Sequence, residues 1–130
     1  MIEIKLGIAG LGTVAQGVLE LIRRNNAIMR QRSGVSLRVV RVASRRAKPE
    51  IDLHGAHFST NIEDLLTDPN VDMILELIGG DTTALDLIRR GLAANKPVVT
   101  ANKAILAEHG NELMAGRGRQ LLRFEAAVAG

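Results

Sequence analysis

A short turn containing two glycines, near the amino terminus, constrains the fold of this chain more than any other feature. It follows an alternating and then fully apolar run at residues 2–9, as expected of a strand buried in a parallel sheet. It precedes a segment whose apolar residues keep a helical period to about residue 32, where Ser33-Gly34 ends the helix. This order of strand, turn and helix predicts the first unit of a parallel α/β sheet.

The turn itself has the composition of a phosphate-binding site built from main chain. Gly10 permits a tight turn, Gly12 leaves room for a pyrophosphate, and Ala15 stands where a small residue lets helix and strand pack closely. The helix begins near Thr13 and Val14 and directs free N–H groups and its positive dipole end at the anion. We therefore predict dinucleotide binding, and the alternative is a glycine turn that serves only close packing.

The rest of the chain alternates predicted strands with predicted helices. We expect strands at residues 37–43, 57–59, 71–78, 98–100 and 120–126, and helices at 62–66, about 82–93 and 103–115. This pattern predicts a doubly wound parallel sheet of the Rossmann type, with residues 1–130 forming one dinucleotide-binding domain. Ligands of such sheets bind outside the carboxyl ends of the strands, which selects the turns after residues 9, 43, 78 and 100.

Composition and charge narrow the class of protein. With 46% hydrophobic residues, no cysteine and no apolar run of membrane length, we expect a folded cytoplasmic protein without disulfides or a membrane partner. Residues 1–50 hold ten Lys and Arg against three Asp and Glu, which invites a nucleic-acid interpretation. The only aromatic residues are Phe58 and Phe124, which cannot form a stacking platform, so we expect no nucleic-acid partner.

The loop after the second predicted strand indicates which dinucleotide binds. An NAD site places Asp or Glu there, on the ribose 2′-hydroxyl. This chain instead has Ser44, Arg45 and Arg46, which could hold a 2′-phosphate by hydrogen bonds and planar guanidinium contacts, with Lys48 as a weaker addition. We predict a preference for NADP, with NAD remaining possible; the alternative is a solvated basic loop.

Three strings resemble a known family. They are LIGG at residues 77–80, VVTANKA at 98–104 and FEAAVAG at 124–130, and together with the glycine turn they resemble the N-terminal NAD(P)-binding domain of homoserine dehydrogenases. The resemblance covers nearly the whole chain. The family continues into a substrate domain, so we expect this chain to be a truncated domain that lacks it.

The resemblance implies an activity for the full-length enzyme. Homoserine dehydrogenases interconvert L-aspartate 4-semialdehyde and L-homoserine by hydride transfer with NAD(P), a step toward threonine and methionine. The family's proton-donating lysine lies in the absent part, so we expect this chain to bind nucleotide without turning over substrate. The full-length protein is expected to be a homo-oligomer.

The resemblance also implies roles for further residues. Ile78, Gly79 and Thr100 would line the nicotinamide side. Lys103 matches a lysine that contacts the cofactor near the substrate, where an ammonium would stabilise developing alkoxide charge, so it is a supporting catalytic candidate. Its alternative is a solvated lysine at a helix start.

A sodium site is implied in the same way. Glu125 resembles the family's sodium ligand, with the main-chain carbonyls of Val128 and Gly130 completing part of the shell. A further family ligand would lie beyond residue 130, so we expect this chain to hold the ion poorly.

Other interpretations remain open from the sequence. One is another amino-acid dehydrogenase, such as an aspartate dehydrogenase; another is a regulatory module that senses NAD(P) without chemistry. A sensor has no need of a lysine on the substrate side, so Lys103 discriminates between enzyme and sensor. Glu76, near a predicted strand end, is either a residue beside the nicotinamide or a hydrogen-bonded core carboxyl group.

Overall fold

One parallel sheet organises the molecule. The computed structural model describes residues 2–79, 82–115 and 121–124, and within these the sheet has six strands, all paired in parallel. The strands are β1 Ile2–Ala9, β2 Val35–Ala43, β3 His57–Ser59, β4 Met73–Glu76, β5 Val98–Thr100 and β6 Leu122–Phe124. The helices are α1 Thr13–Ser33, α2 Glu63–Thr67, α3 Thr82–Ala93 and α4 Lys103–Leu113. The predicted fold class is confirmed.

The strand order places the predicted turns along one edge. The order is β3-β2-β1-β4-β5-β6, so the chain reverses its direction of progress between β1 and β4. Ala9 is in register with both Ala43 and Glu76, and Glu76 is in register with Thr100. The carboxyl ends of these four strands therefore lie side by side, around the switch point at which such sheets bind ligands.

Two apolar layers cover the two faces of the sheet. On one face, Leu11 of the glycine turn packs with Ala15 and Leu19 of α1 against strand residues of β1 and β2. On the other, the residues that fill the layer include Leu65, Leu87, Ile88 and Ile105 from the helices, with Ile74 and Val98 from the sheet. Each such large aliphatic side chain contributes about 2 kcal/mol on burial. The loops of the ligand-binding edge are thus carried by a rigid, doubly covered frame.

Helix α1 and its boundaries follow the sequence pattern. It ends at Gly34, which adopts a left-handed conformation with φ 73° and donates its N–H to the carbonyl of Arg30.

None of the helices in the described ranges is both long and apolar enough to cross a membrane.

Several predicted boundaries move. The fourth strand was expected at 71–78, but β4 covers only Met73–Glu76, because the N–H of Val71 bonds to Asp68 in a turn and the N–H of Ile78 bonds to the side chain of Glu76. Strand β2 begins two residues earlier than expected, and α4 ends two residues earlier. Helix α2 is shifted by one residue, since Asn61 Oδ1 accepts the N–H of Glu63. Of the last predicted strand, residues 120, 125 and 126 lie outside the described residues.

Candidate nucleotide-binding site

The glycine turn lies where three strands meet. Gly10 has φ 108°, a conformation that side chains rarely adopt, and its N–H donates to the carbonyl of Ala43 at 2.8 Å. A Cβ atom at this position would lie 2.7 Å from the carbonyl oxygen of Leu77. Only glycine fits here, because the turn passes directly against the loop that follows β4.

Gly12 leaves open space at the start of α1. It is the N-cap residue of that helix, in an extended conformation, and a Cβ atom built on it would meet no other atom within 4 Å. Helix α1, which is described over its full length, has no side-chain N-cap hydrogen bond and no acidic residue in its first turn. Since the first amides of a helix have no acceptor within it, this end is suited to an anion. Ala15 is fully buried beneath it, as the predicted close packing requires.

One half of the cleft joins the glycine turn to the loop after β2. A cavity of about 590 Å³ has Gly10 and Gly12 on one side and Ser44, Arg45 and Arg46 on the other. The Ser44 N–H donates to the carbonyl of Ser59 at 3.0 Å, which fixes this loop to the end of β3. Both arginines are exposed and can reorient toward a bound group. The structure therefore brings together the two predicted sets of residues.

Lys48 has a larger place in this half than the sequence indicated. Its Nζ donates to the carbonyl oxygen of Leu11 at 2.9 Å, inside the glycine turn, and it lines the same cavity. Gln16 Nε2 donates to that oxygen as well, at 3.2 Å. Because 37 residues separate Lys48 from Leu11, the sequence does not predict this contact. It shows only that the basic loop contains a lysine.

The other half of the cleft contains three of the four residues expected on the nicotinamide side. A cavity of about 460 Å³ lies between the start of α1, the end of β4 with its following loop, and the start of α4. Ile78, Gly79 and Lys103 line it, together with Thr13 and Val14. Gly12, Ile78 and Gly79 line both cavities, so the two halves adjoin between the glycine turn and the loop after β4. Their arrangement fits a dinucleotide whose pyrophosphate crosses at that point.

Thr100 lies beneath this cavity rather than on its wall. Its side chain is fully buried, and its Oγ1 donates to Glu76 Oε1 at 2.5 Å while accepting the N–H of Asn102 at 3.0 Å. Thr100 was expected to line the nicotinamide side. Its side chain instead contacts Glu76, which borders the cavity, and a role of Thr100 toward the nicotinamide stays a prediction. Glu76, only 1% exposed, is a hydrogen-bonded core carboxyl group that also borders the cavity, and a place beside the nicotinamide stays a prediction.

The start of α4 presents Lys103 to the cleft. Asn102 is the N-cap residue, and its Oδ1 accepts the N–H of Ile105 at 3.1 Å. This cap was not singled out in the sequence, although an Asn directly before a helical pattern is its usual signal. Lys103 is the first helical residue and its side chain is exposed. The cap of α4 is therefore provided by Asn102, and the side chain of Lys103 can contact a ligand in the cavity.

The implied sodium ligands Glu125, Val128 and Gly130 lie outside the described residues. Within the ranges that are described, no group of three or more His, Cys, Asp or Glu side chains could hold a metal ion.

Comparison with known proteins agrees with this geometry. The family model for "Homoserine dehydrogenase, NAD binding domain" matches residues 10–120. The homoserine dehydrogenase of Pseudomonas aeruginosa is 40% identical over 132 residues, covering 100% of this chain and 30% of that protein. The enzyme of Bacillus subtilis is 36% identical, covering 100% of this chain and 31% of that protein.

Solved structures give the same result. The homoserine dehydrogenase of Thiobacillus denitrificans matches with a TM-score of 0.86 and 40% identity, over 96% of this chain and 30% of that one. That of S. aureus matches with a TM-score of 0.87 and 28% identity, over 98% of this chain and 33% of that one. The chain thus spans about a third of the length of these relatives. It belongs to the homoserine dehydrogenase family and corresponds to that family's N-terminal NAD-binding domain.

Proposed function

We propose that this chain binds NADP across the cleft at the carboxyl edge of its sheet, as the cofactor-binding part of a homoserine dehydrogenase. The observation that carries the proposal is that the two cavities share Gly12, Ile78 and Gly79 and adjoin beside a helix start without a side-chain cap. Family membership supports a nicotinamide cofactor. The position of each contact is our assignment.

The preference for NADP over NAD follows from the loop after β2. Ser44, Arg45 and Arg46 line the cavity that also contains Gly10, so an adenosine ribose placed there would have its 2′ position near two guanidinium groups. Guanidinium groups bind phosphate through paired, charge-assisted hydrogen bonds. Of the residues from 44 to 48, none is acidic, so this loop offers no carboxylate to a 2′-hydroxyl.

A titration of the chain with NADPH and NADH tests this preference. We expect NADPH to bind at least tenfold more tightly, and Arg45→Ala with Arg46→Ala to remove most of that ratio by weakening NADPH alone. Arg24→Ala is the matched control, because this exposed arginine pairs with Glu20 on α1 and lines neither cavity. Equal or tighter NADH binding by the unaltered chain would refute the preference.

The chemistry belongs to the longer protein. Reduced nicotinamide supplies the hydride that converts the aldehyde of L-aspartate 4-semialdehyde to the alcohol of L-homoserine. We assign to Lys103 a place beside the reacting oxygen, where its ammonium stabilises the developing alkoxide. Its exposure at the nicotinamide-side cavity supports an enzyme rather than a nucleotide sensor.

Three further parts of the proposal rest on the resemblance. Residues 1–130 act as one nucleotide-binding domain that does not turn over by itself, the longer enzyme forms a homo-oligomer, and Glu125 with Val128 and Gly130 contributes to a sodium site. Assaying homoserine oxidation by the longer protein with NADP, with and without sodium, tests the activity and the ion together. Activity restricted to the longer protein is the expected result.

A further inference from the structure

We propose that Glu76 is a positioning residue that ties the loop after β4 to the loop after β5 and thereby sets the shape of the nicotinamide-side cavity. The inference deepens the proposed function and rests on it. The residue occupies the last position of β4, is 1% exposed, and yet borders the cavity.

Each carboxyl oxygen of Glu76 holds a different loop. Oε2 accepts the N–H of Ile78 at 2.9 Å, which turns the backbone out of the strand just before Gly79. Oε1 accepts the hydroxyl of Thr100 at 2.5 Å, across the β4–β5 pairing in which the two residues are in register. One side chain therefore contacts the loop after β4 and the last residue of β5, from which the loop after β5 begins.

The hydrogen bonds continue beyond Thr100 to the start of α4. Thr100 Oγ1 accepts the N–H of Asn102 at 3.0 Å, and Asn102 Oδ1 accepts the N–H of Ile105 at 3.1 Å. Lys103 lies between Asn102 and Ile105 in the sequence. A connected path thus runs from the loop at Ile78 to the helix turn that carries the candidate catalytic lysine.

A role in stability alone does not account for this choice of residue. Burying a carboxyl group is costly unless it is hydrogen-bonded, and an aliphatic side chain at this strand position would fill the same space more cheaply. Ile74, two residues earlier on the same strand, is such a residue and is fully buried. What an aliphatic residue cannot supply is the pair of acceptors for Ile78 and Thr100.

The position of Glu76 allows a positioning role to be distinguished from a role in fold stability alone. It borders the nicotinamide-side cavity but not the cavity formed with Ser44, Arg45 and Arg46. A change here should therefore weaken the binding of ligands that carry the nicotinamide and spare ligands that lack it. A residue that merely stabilised the fold would affect both classes of ligand equally.

The test compares NADPH with 2′-phospho-ADP-ribose, which lacks the nicotinamide, by calorimetric titration of the chain. In Glu76→Gln, one acceptor becomes a donor that faces the Thr100 hydroxyl or the Ile78 N–H. We expect about tenfold weaker NADPH binding and a change of less than about twofold for 2′-phospho-ADP-ribose. Thr100→Val, which keeps the shape and loses the hydroxyl, should show the same split, and Thr100→Ser should restore NADPH binding.

If Glu76→Gln does not fold, the variants Thr100→Val and Thr100→Ser test the positioning role of Glu76 instead. Equal weakening of both ligands, or unchanged NADPH affinity in Thr100→Val, would overturn the positioning role. Absence of binding of either ligand to the unaltered chain would instead refute the proposed function, so the two failures are distinguishable.

Discussion

Lys48 and Leu11 are joined across 37 residues of sequence by a hydrogen bond of 2.9 Å, from the lysine ammonium to the leucine carbonyl oxygen. The contact fixes the basic loop after β2 to the glycine turn after β1. It also places a positive charge beside the position we assign to the pyrophosphate. The two predicted binding elements of the cleft are thus held at a set distance before any ligand arrives.

Replacement of Lys48 should therefore weaken both dinucleotides. We expect Lys48→Ala to lower the affinity for NADPH and NADH alike by about fivefold to tenfold, since both share the pyrophosphate. Lys48→Arg, which retains the charge, should recover part of the loss. Calorimetric titration with each dinucleotide measures these affinities. A loss of affinity confined to NADPH would show that Lys48 acts on the 2′-phosphate instead.

Replacement by alanine should lower the free energy of unfolding more at Gly10 than at Gly12. Gly10→Ala requires an unfavourable φ and brings a Cβ to 2.7 Å from the Leu77 carbonyl, so we expect a loss of about 2–3 kcal/mol in the free energy of unfolding. At Gly12 a Cβ meets nothing, and the cost should stay below about 1 kcal/mol. Urea unfolding of both variants measures the difference. Equal destabilisation would contradict the geometry of the turn.

Asp68 should make the stability depend on pH. Its Oδ1 accepts the N–H of Asn70 at 2.8 Å and its Oδ2 accepts Arg41 Nε at 2.9 Å, and these contacts, the first the larger, lower the pKa of Asp68. Because the folded pKa lies below the unfolded one, the stabilisation is present above the unfolded pKa and is lost as pH falls through the folded pKa.

The matching variant is Asp68→Asn. We expect it to be about 1 kcal/mol less stable than the unaltered chain at neutral pH, with the difference shrinking as the solution is acidified. Asp86→Asn serves as the control, since this exposed carboxylate is 3.7 Å from its partner Arg90. Urea unfolding across the acidic range measures both. Parallel pH profiles for the unaltered chain and Asp68→Asn would disprove the assignment.

Lys103 should matter for chemistry and not for folding. In the longer enzyme we expect Lys103→Ala to lower kcat by about a hundredfold or more, because a cation beside the developing alkoxide is lost. Since Asn102 provides the helix cap, the melting temperature should change little. Lys103→Arg tests whether charge alone suffices. Full activity of Lys103→Ala would leave Lys103 as a solvated residue.

Local signals in the sequence predicted the frame of the molecule. Gly34 ends α1 with a left-handed conformation, and Gly10, in the turn between β1 and α1, adopts a positive φ that favours glycine. Such features depend on a few neighbouring residues, which is why a pattern of residue types reveals them.

The site could be predicted only in part, because its details depend on pairing between distant segments. The hydroxyl of Thr100 points to Glu76 because β4 and β5 are in register there, and this register is not visible in either segment. The apolar pattern predicted a strand as far as residue 78, whereas the side chain of Glu76 ends β4 by accepting the N–H of Ile78, a local contact that the pattern does not reveal. The reach of Lys48 to Leu11 likewise appears only in three dimensions.

In the binding mode that we propose, a nicotinamide dinucleotide lies across the cleft with its phosphates at the start of α1. Titration of the chain and of Gly12→Ala with NADPH tests it most directly, because the added methyl group would occupy the open space while leaving the fold intact. We expect saturable binding of one NADPH per chain and at least tenfold weaker binding by Gly12→Ala. Undiminished binding by a folded Gly12→Ala variant, or no binding by the unaltered chain, would contradict it.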